Sequence, residues 1–463
     1  MCRFTFLLLL CVLSVVVAKG QVTPLAITNP IEREIKGGES HLYQLTLAAG
    51  ECVVLGLDAN KAHVICEAWV EKDKILAGGE LEKATKKFWL VAEHATTYFL
   101  RITQDTQTYP QPYRLCIAEQ RPATEADRNI VQAQSDQLQA IIFYGLANED
   151  SHRQAASYSR KAAERWEAAG STIDAAVNYN LLGLSLQRLD EISTATQAYE
   201  QALQRFKALG NRELEANTIN NLAGLLLRAG EPQQALNYLS SIQVTEDQRI
   251  PVLQVGRAFV FSGIAYRLLG DLTQARSFLE LGLQFIRTPE KNVYTLNAEA
   301  RALLELGQIC LSLGDHSQAQ AHLRQSLVVL KENDSLFRML SGHVRRVIGD
   351  VHFSRGEYQQ AQEVYRETLT NFQQVGSPFH RASIRNDLGA TALVFGRDKE
   401  AQEWYAEALA LGETIHNVPV ESIARVGLAR VEQLRGDFAA ALTQVEQALQ
   451  LVESQRAQIV SPD

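Results

Sequence analysis

A turn that returns about every forty residues constrains this chain more than any other feature. Asp190, Gly230, Gly270, Gly314, Gly356, Gly396 and Gly436 follow one another at spacings of 40, 40, 44, 42, 40 and 40 residues. Five residues after each turn stands an alanine: Ala195, Ala235, Ala275, Ala319, Ala361, Ala401 and Ala441. Seven residues before it stands a small residue: Gly183, Ala223, Gly263, Gly307, Gly349, Gly389 and Ala429. Thirteen after it leucine dominates, at Leu203, Leu283, Leu327, Leu369, Leu409 and Leu449. Glycine accepts the left-handed backbone that ends a helix. An acid just after it, as at Glu231, Asp271, Asp315, Glu357 and Asp437, suits the start of the next helix and its dipole. Small residues let the two helices of a pair approach closely, and leucines bury against the neighbouring pair. One pair cannot bury its own faces, so the pattern predicts a stack of helix pairs.

This grammar of small residue, turn glycine, alanine and leucine is similar to that of tetratricopeptide repeats. "INNLAGLLLRAGEPQQALNYL" and "YQQAQEVYRETL" resemble the long-repeat version found in kinesin light chains. The resemblance covers Ser171 to Glu453 as seven repeats, preceded by a degenerate half-repeat from Gln154 to Gly170. It implies an α-solenoid that binds protein or peptide.

Upstream the period changes from that of a helix to two. "HLYQLTL" places Tyr43, Leu45 and Leu47 on one face, "TTYFLRIT" does so with Tyr98, Leu100 and Ile102, and "PYRLCIA" with Tyr113, Leu115 and Ile117. Gly37-Gly38, Ala49-Gly50 and Gly78-Gly79 read as breaks between short strands. Such alternation predicts an antiparallel β-sandwich over residues 22–120. The expected fold class is therefore α+β and multidomain, an antiparallel β-sandwich followed by an all-α superhelix. "TEAD", from Thr124 to Asp127, has the form of a helix cap. Residues 121–170 then form a linker helix and the half-repeat, residues 171–453 the repeats, and 454–463 a polar tail. "GGESHLYQLTLAAGE" and "LVAEHATTYFLRIT" resemble bacterial pre-peptidase C-terminal modules. "RPATEADRNIVQAQSDQLQA" resembles the segment that joins such a module to the repeats in secreted bacterial proteins. Those proteins usually end in a caspase-like CHAT domain. "VESQRAQIVSPD" resembles the connector leading to it, which makes the tail the start of a connector whose domain is missing.

The first 20 residues carry Arg3, an apolar run from Phe4 to Val17, and small residues at Ala18 and Gly20. The run is short for a transmembrane helix, so it reads as a signal peptide. An exported, periplasmic or extracellular chain with no span in its mature form is the expectation. Cys52, Cys66, Cys116 and Cys310 then remain. Cys116 belongs to the strand face opposite Tyr113, Leu115 and Ile117. A Cys52–Cys66 bridge is one reading and buried free thiols the other.

The net charge of −8 leaves no excess of Lys and Arg to meet phosphates, against a nucleic-acid partner. No metal-ligand spacing, phosphate loop or nucleophile elbow stands out, so no catalytic residue, cofactor or metal is expected. Cys310 and His316 flank a repeat turn in ordinary packing slots. What remains is a binding surface. Ten residues before the turn stand Asn180, Asn220, Arg346 and Asn386, with Val260, Leu304 and Val426 in the same slot elsewhere. An amide both donates and accepts, which suits the backbone of an extended ligand. The alternative is that these asparagines are solvated or serve helix–helix packing. The leading reading is thus a non-enzymatic scaffold that binds protein or peptide. The regulatory half of a CHAT-type protease and a structural envelope protein are the alternatives. The last helix keeps the internal grammar, with Leu442, Val445, Leu449 and Val452 at helical spacing. It predicts an exposed apolar strip that forms a homodimer or recruits a partner.

Overall fold

A computed structural model describes residues 22–25, 30–36, 38–58, 64–70, 75–81, 85–104, 110–146, 148–242, 250–287, 293–330, 337–375, 378–415 and 417–460. The segment expected to be a signal peptide, Gly37 and the last three residues lie outside them.

Nine strands come first: β1 Thr23–Pro24, β2 Ile31–Ile35, β3 Ser40–Leu47, β4 Glu51–Asp58, β5 Val64–Trp69, β6 Ile75–Leu81, β7 Thr85–Ala92, β8 Thr96–Gln104 and β9 Gln111–Pro122. They form two sheets, in the orders β1-β3-β8-β5-β6 and β2-β9-β4-β7. All pairings are antiparallel except that of β1 with β3. Tyr43, Leu45, Leu47, Leu100 and Ile102 of one sheet meet Val53, Leu55, Leu57, Tyr113 and Leu115 of the other in a single core. The expected faces are the buried ones, because a period of two sends alternate side chains inward.

One expectation is corrected here, and one open choice is decided. Gly78-Gly79 is no break: both residues lie inside β6, opposite Glu67 and Cys66. The strand is at the sheet edge, where glycine is tolerated. No Cys52–Cys66 bridge forms: Cys66 faces the core between the sheets, whereas Cys52 lies outside that core, near Asp127. Cys52, Cys66, Cys116 and Cys310 are all free thiols. Burial, then the nearby Asp127, pushes the Cys52 thiol up to about 11.

Sixteen helices follow among the described residues: α1 Glu125–Gly145, α2 Glu149–Ala168, α3 Thr172–Arg188, α4 Ile192–Ala208, α5 Arg212–Arg228, α6 Pro232–Leu239, α7 Val252–Leu268, α8 Leu272–Ile286, α9 Val293–Ser312, α10 His316–Leu330, α11 Arg338–Ser354, α12 Tyr358–Val375, α13 Pro378–Val394, α14 Asp398–Thr414, α15 Val418–Arg435 and α16 Phe438–Val460. The chain opens into α1 through a capping box. Thr124 Oγ1 accepts from the Asp127 amide at 3.3 Å, and Asp127 Oδ2 accepts from the Thr124 amide at 2.9 Å. Arg121 also grips Asp127 with two bonds, at 2.6 and 2.9 Å, which holds that carboxyl well below its usual range. Gln134 extends the ladder of edge strand β7, donating to the Trp89 carbonyl at 3.2 Å and accepting from its amide at 3.0 Å. So α1, expected as a linker, lies against β6 and β7 and pairs with α2 as the repeat helices do.

The seven turn positions join the two helices of seven pairs, α3/α4 to α15/α16. All seven have positive φ, between 57° at Asp190 and 85° at Gly270. Asp190 is the one non-glycine residue there among the described residues, and it takes the slot glycine holds elsewhere. Small residues before the turn face large ones after it. A Cβ on Gly183 would come within 2.7 Å of the Tyr199 ring, one on Gly349 within 2.3 Å of Tyr365, and one on Gly389 within 2.8 Å of Tyr405. The last helix runs on to Val460, through residues expected to form a polar tail. No described helix is long and apolar enough to cross a membrane.

The chain divides into two compact units, Met1–Gln234 with Thr245–Ile250, and Ala235–Val244 with Pro251–Asp463. The boundary falls in α6, the shortest of the helices.

Candidate functional site

Within the C-terminal unit the first helices of successive pairs lie close together, α7 by α9, α9 by α11 and α13 by α15. The second helices stand farther apart, so the first helices form the tighter layer. One spacing in this layer is wider: the backbones of α11 and α13 approach less closely than the others. Side chains span that gap. His343, Arg346 and Asp350 fall on one stripe of α11, at spacings of three and four residues. His380 and Asp387 are two turns apart on α13.

The geometry is that of a partly exposed polar cluster between α11 and α13. Arg346 donates from Nε to Asp387 Oδ2 at 2.7 Å and from Nη2 to Oδ1 at 3.2 Å. The side chains keep 35% and 17% of their exposure, so water still reaches this two-pronged bond. Tyr365 of α12 donates its hydroxyl to Asp350 Oδ1 at 2.7 Å. The His343 and His380 rings lie 4.2 Å apart, and Phe372 packs against both.

Burial and neighbouring charge set the protonation. His343 is pushed down to about 3 by burial, then by His380, Arg301 and Arg346. His380 is pushed down to about 4 by burial and Arg346. Both are therefore neutral imidazoles at neutral pH. Asp387 raises Arg346 above its ordinary value. Burial, then Asp387, raises Asp350 to about 6 against the pull of Arg346. The cluster thus offers a guanidinium, two carboxylates, two neutral imidazoles and a phenol. That set recognises polar and charged groups, and no side chain in it is placed as an activated nucleophile.

The four residues singled out in the sequence do not share a role. Arg346 belongs to the polar cluster. Asn180, in the N-terminal unit, is half-buried and accepts from Asn221 Nδ2 at 3.3 Å, which also donates to Asn217 Oδ1 at 3.1 Å. Asn220 and Asn386 are both buried, at 0% and 5% exposure, as the helix-packing alternative for these asparagines expects. Asn386 donates to the Val420 carbonyl at 3.2 Å, on the helix that packs over it. The slot ten before the turn is thus mainly a packing position, as buried Val260 and Leu304 show. Asn386→Ala should therefore lower stability by about 1–2 kcal/mol through the lost bond and the unfilled space. Urea unfolding measures this; an unchanged midpoint would contradict the packing role.

Sequence reading missed Asp387 and Asn221, nine residues before their turns, and the two histidines. The available signal was weak: the same slot holds Leu181, Phe261 and Val347 in three repeats, but Glu305 and Gly427 in two others. Asn180 to Asn221 and Arg346 to Asp387 are both links across 41 residues, from slot ten of one repeat to slot nine of the next. Cys310 is buried in the apolar cluster of α9 and α10, where burial raises its thiol. Among the described residues no group of three or more His, Cys, Asp or Glu could hold a metal ion.

Comparison with known proteins agrees with this architecture. A tetratricopeptide-repeat family profile matches residues 174–241, 340–414 and 382–454, and a second matches 300–327. Regulatory protein AfsR of Streptomyces griseus is 29% identical over 178 residues, covering 38% of this chain and 16% of AfsR. The chain therefore spans less than a fifth of that relative's length. A Rap protein complexed with Competence and Sporulation Factor has a TM-score of 0.51 at 14% identity, over 72% of this chain and 95% of that one. The apo form of the quorum sensor NprR from B. thuringiensis has a TM-score of 0.51 at 14% identity, over 61% and 77%. At such identity the likeness is one of fold. Positive-φ turns, small-to-large packing and these matches agree on stacked helix pairs, of which residues 174–241, 300–327 and 340–454 match tetratricopeptide-repeat profiles.

Proposed function

We propose that the chain is a scaffold that holds a segment of another protein, with the polar cluster between α11 and α13 as the site that selects it. The observation that carries this is the widened spacing of those two helices, spanned by the Arg346–Asp387 pair and lined by His343 and His380. An apolar contact would bury these helices more simply. A bidentate pair left partly in water instead presents charge and hydrogen-bonding capacity to a ligand. The fold supports the reading, since a protein with a similar arrangement of helices is known in complex with a factor.

Selection from a displayed library of random peptides on the full chain tests it. Selected peptides should bind Arg346→Ala and Asp387→Ala about 10-fold more weakly, the loss of one charge-assisted bond. Thermal melting of each variant separates this from loss of fold. No enrichment, or binders indifferent to both substitutions in folded variants, would remove the cluster as the site.

A further inference from the structure

The charges of the polar cluster do not balance. Asp387 takes both prongs of Arg346, at 2.7 and 3.2 Å. Asp350 is half-buried and within reach of the Asp387 charge. Among the described residues it has a hydrogen bond from Tyr365 and no ion pair. Two carboxylates therefore share one guanidinium. The helix adds to the imbalance, because Asp350 lies one turn before the end of α11, where the backbone dipole is negative. Burial and the charge of Asp387 lift Asp350 to about 6, the response of a carboxylate that lacks a counter-ion.

The neighbouring helix agrees. Gln308 of α9 stands six residues before its turn, the slot that Asp350 holds in α11, and α9 packs against α11. Its Oε1 is buried with no hydrogen-bond partner among the described residues. Asp350 and Gln308 are thus acceptors for which the chain supplies too few donors. An anionic group finds less here. The Arg346 guanidinium is already held by Asp387, both imidazoles are neutral, and Arg301 of α9 stands near His343 rather than Asp350.

Resting on the reading of this cluster as the binding site, we propose that the segment it holds carries an arginine or lysine, whose cationic head pairs with Asp350 beside Asp387. Arg346 Nη1 takes no part in the Asp387 pair and is left to donate to a backbone carbonyl of the same segment. Peptides selected on the full chain from a displayed random library should share a basic residue. Replacing it by citrulline or norleucine should weaken binding about 10-fold to the parent chain, and less than about 2-fold to Asp350→Asn. Asparagine keeps the shape and an acceptor for Tyr365 and removes an unpaired charge, so Asp350→Asn should melt no lower than the parent. Coupling between the two changes in a double-mutant cycle is a readout that a merely structural role of Asp350 would not move. Should Asp350→Asn fail to fold, the same cycle is run with Asp387→Asn. Binders that depend on Arg346 and Asp387 but share no basic residue, or share an acidic one, overturn the proposal and leave the cluster as the binding site. So does a basic residue that contributes equally with and without the carboxylate. No enrichment, or binders indifferent to Arg346→Ala and Asp387→Ala, removes the site and the proposal with it.

Discussion

Tyr405→Ala should destabilise the C-terminal unit by about 3–5 kcal/mol, the range for removing a large aromatic side chain from a packed core. The side chain is 4% exposed and belongs to the cluster of Ala392, Ala401, Leu428 and Val431. Its ring does what no other described ring does here: it lies against glycines of two successive first helices. A Cβ on Gly389 of α13 would approach it to 2.8 Å, and one on Gly427 of α15 to 2.3 Å. One ring therefore joins three helices, and its loss leaves a cavity on both sides. Stability in a stack is the sum of each pair and its interfaces with neighbours, so the last pair should loosen before the rest. The urea transition should broaden or split. Gly427→Val tests the same contact from the other side, since its side chain must displace the ring at about 1–3 kcal/mol. A loss under about 1 kcal/mol for Tyr405→Ala, with a single sharp transition, would show that the ring does not couple the pairs.

Acidification from pH 7 to about pH 4 should cost this unit about 2 kcal/mol through His343 and His380. In the folded chain they titrate near 3 and 4, below the ordinary 6.5. The unfolded chain takes up both protons as pH falls through 6.5, and the folded chain does not. Stability is thus fully present above 6.5 and drains away as pH falls toward the folded values. Asp350 works in the opposite sense. Its folded value of about 6 lies above the ordinary 3.8, so its contribution is full below 3.8 and is lost as pH rises through 6. Two imidazoles outweigh one carboxyl, and the figure is kept small because water reaches these partly exposed groups. His343→Gln with His380→Gln should remove the histidine part of the loss. The check is unfolding of both proteins at pH 7 and pH 4.5. A double variant that loses as much stability as the parent would place the acid sensitivity elsewhere.

Much of the local structure is legible in the residues. Asp190 holds the glycine slot by its place in a rhythm of about forty residues, and its φ of 57° is the left-handed value that slot demands. Thr124 and Asp127 form the capping box their spacing requires. Tyr43, Leu45 and Leu47 point inward as a period of two dictates. Leu442 and Leu449 are exposed as the internal grammar of a final pair implies. The candidate site is legible only at Arg346.

Residue pattern alone specifies where each helix turns, which residues of a pair must be small, and which strand faces are apolar. Each of these is set by backbone geometry within one or two elements, and a period of two or of about 3.6 reports it directly. What lies over a given stripe follows only from the assembled stack. Asn386 and Arg346 occupy the same slot, yet one is buried under α15 and the other reaches across a wider gap to Asp387. Cys52 and Cys66 became members of different sheets, and Gly78-Gly79 became part of an edge strand, by strand order rather than by local preference. Periodicity orients a side chain about its own axis; the neighbour it meets depends on the rise and rotation between pairs, which the whole stack sets together.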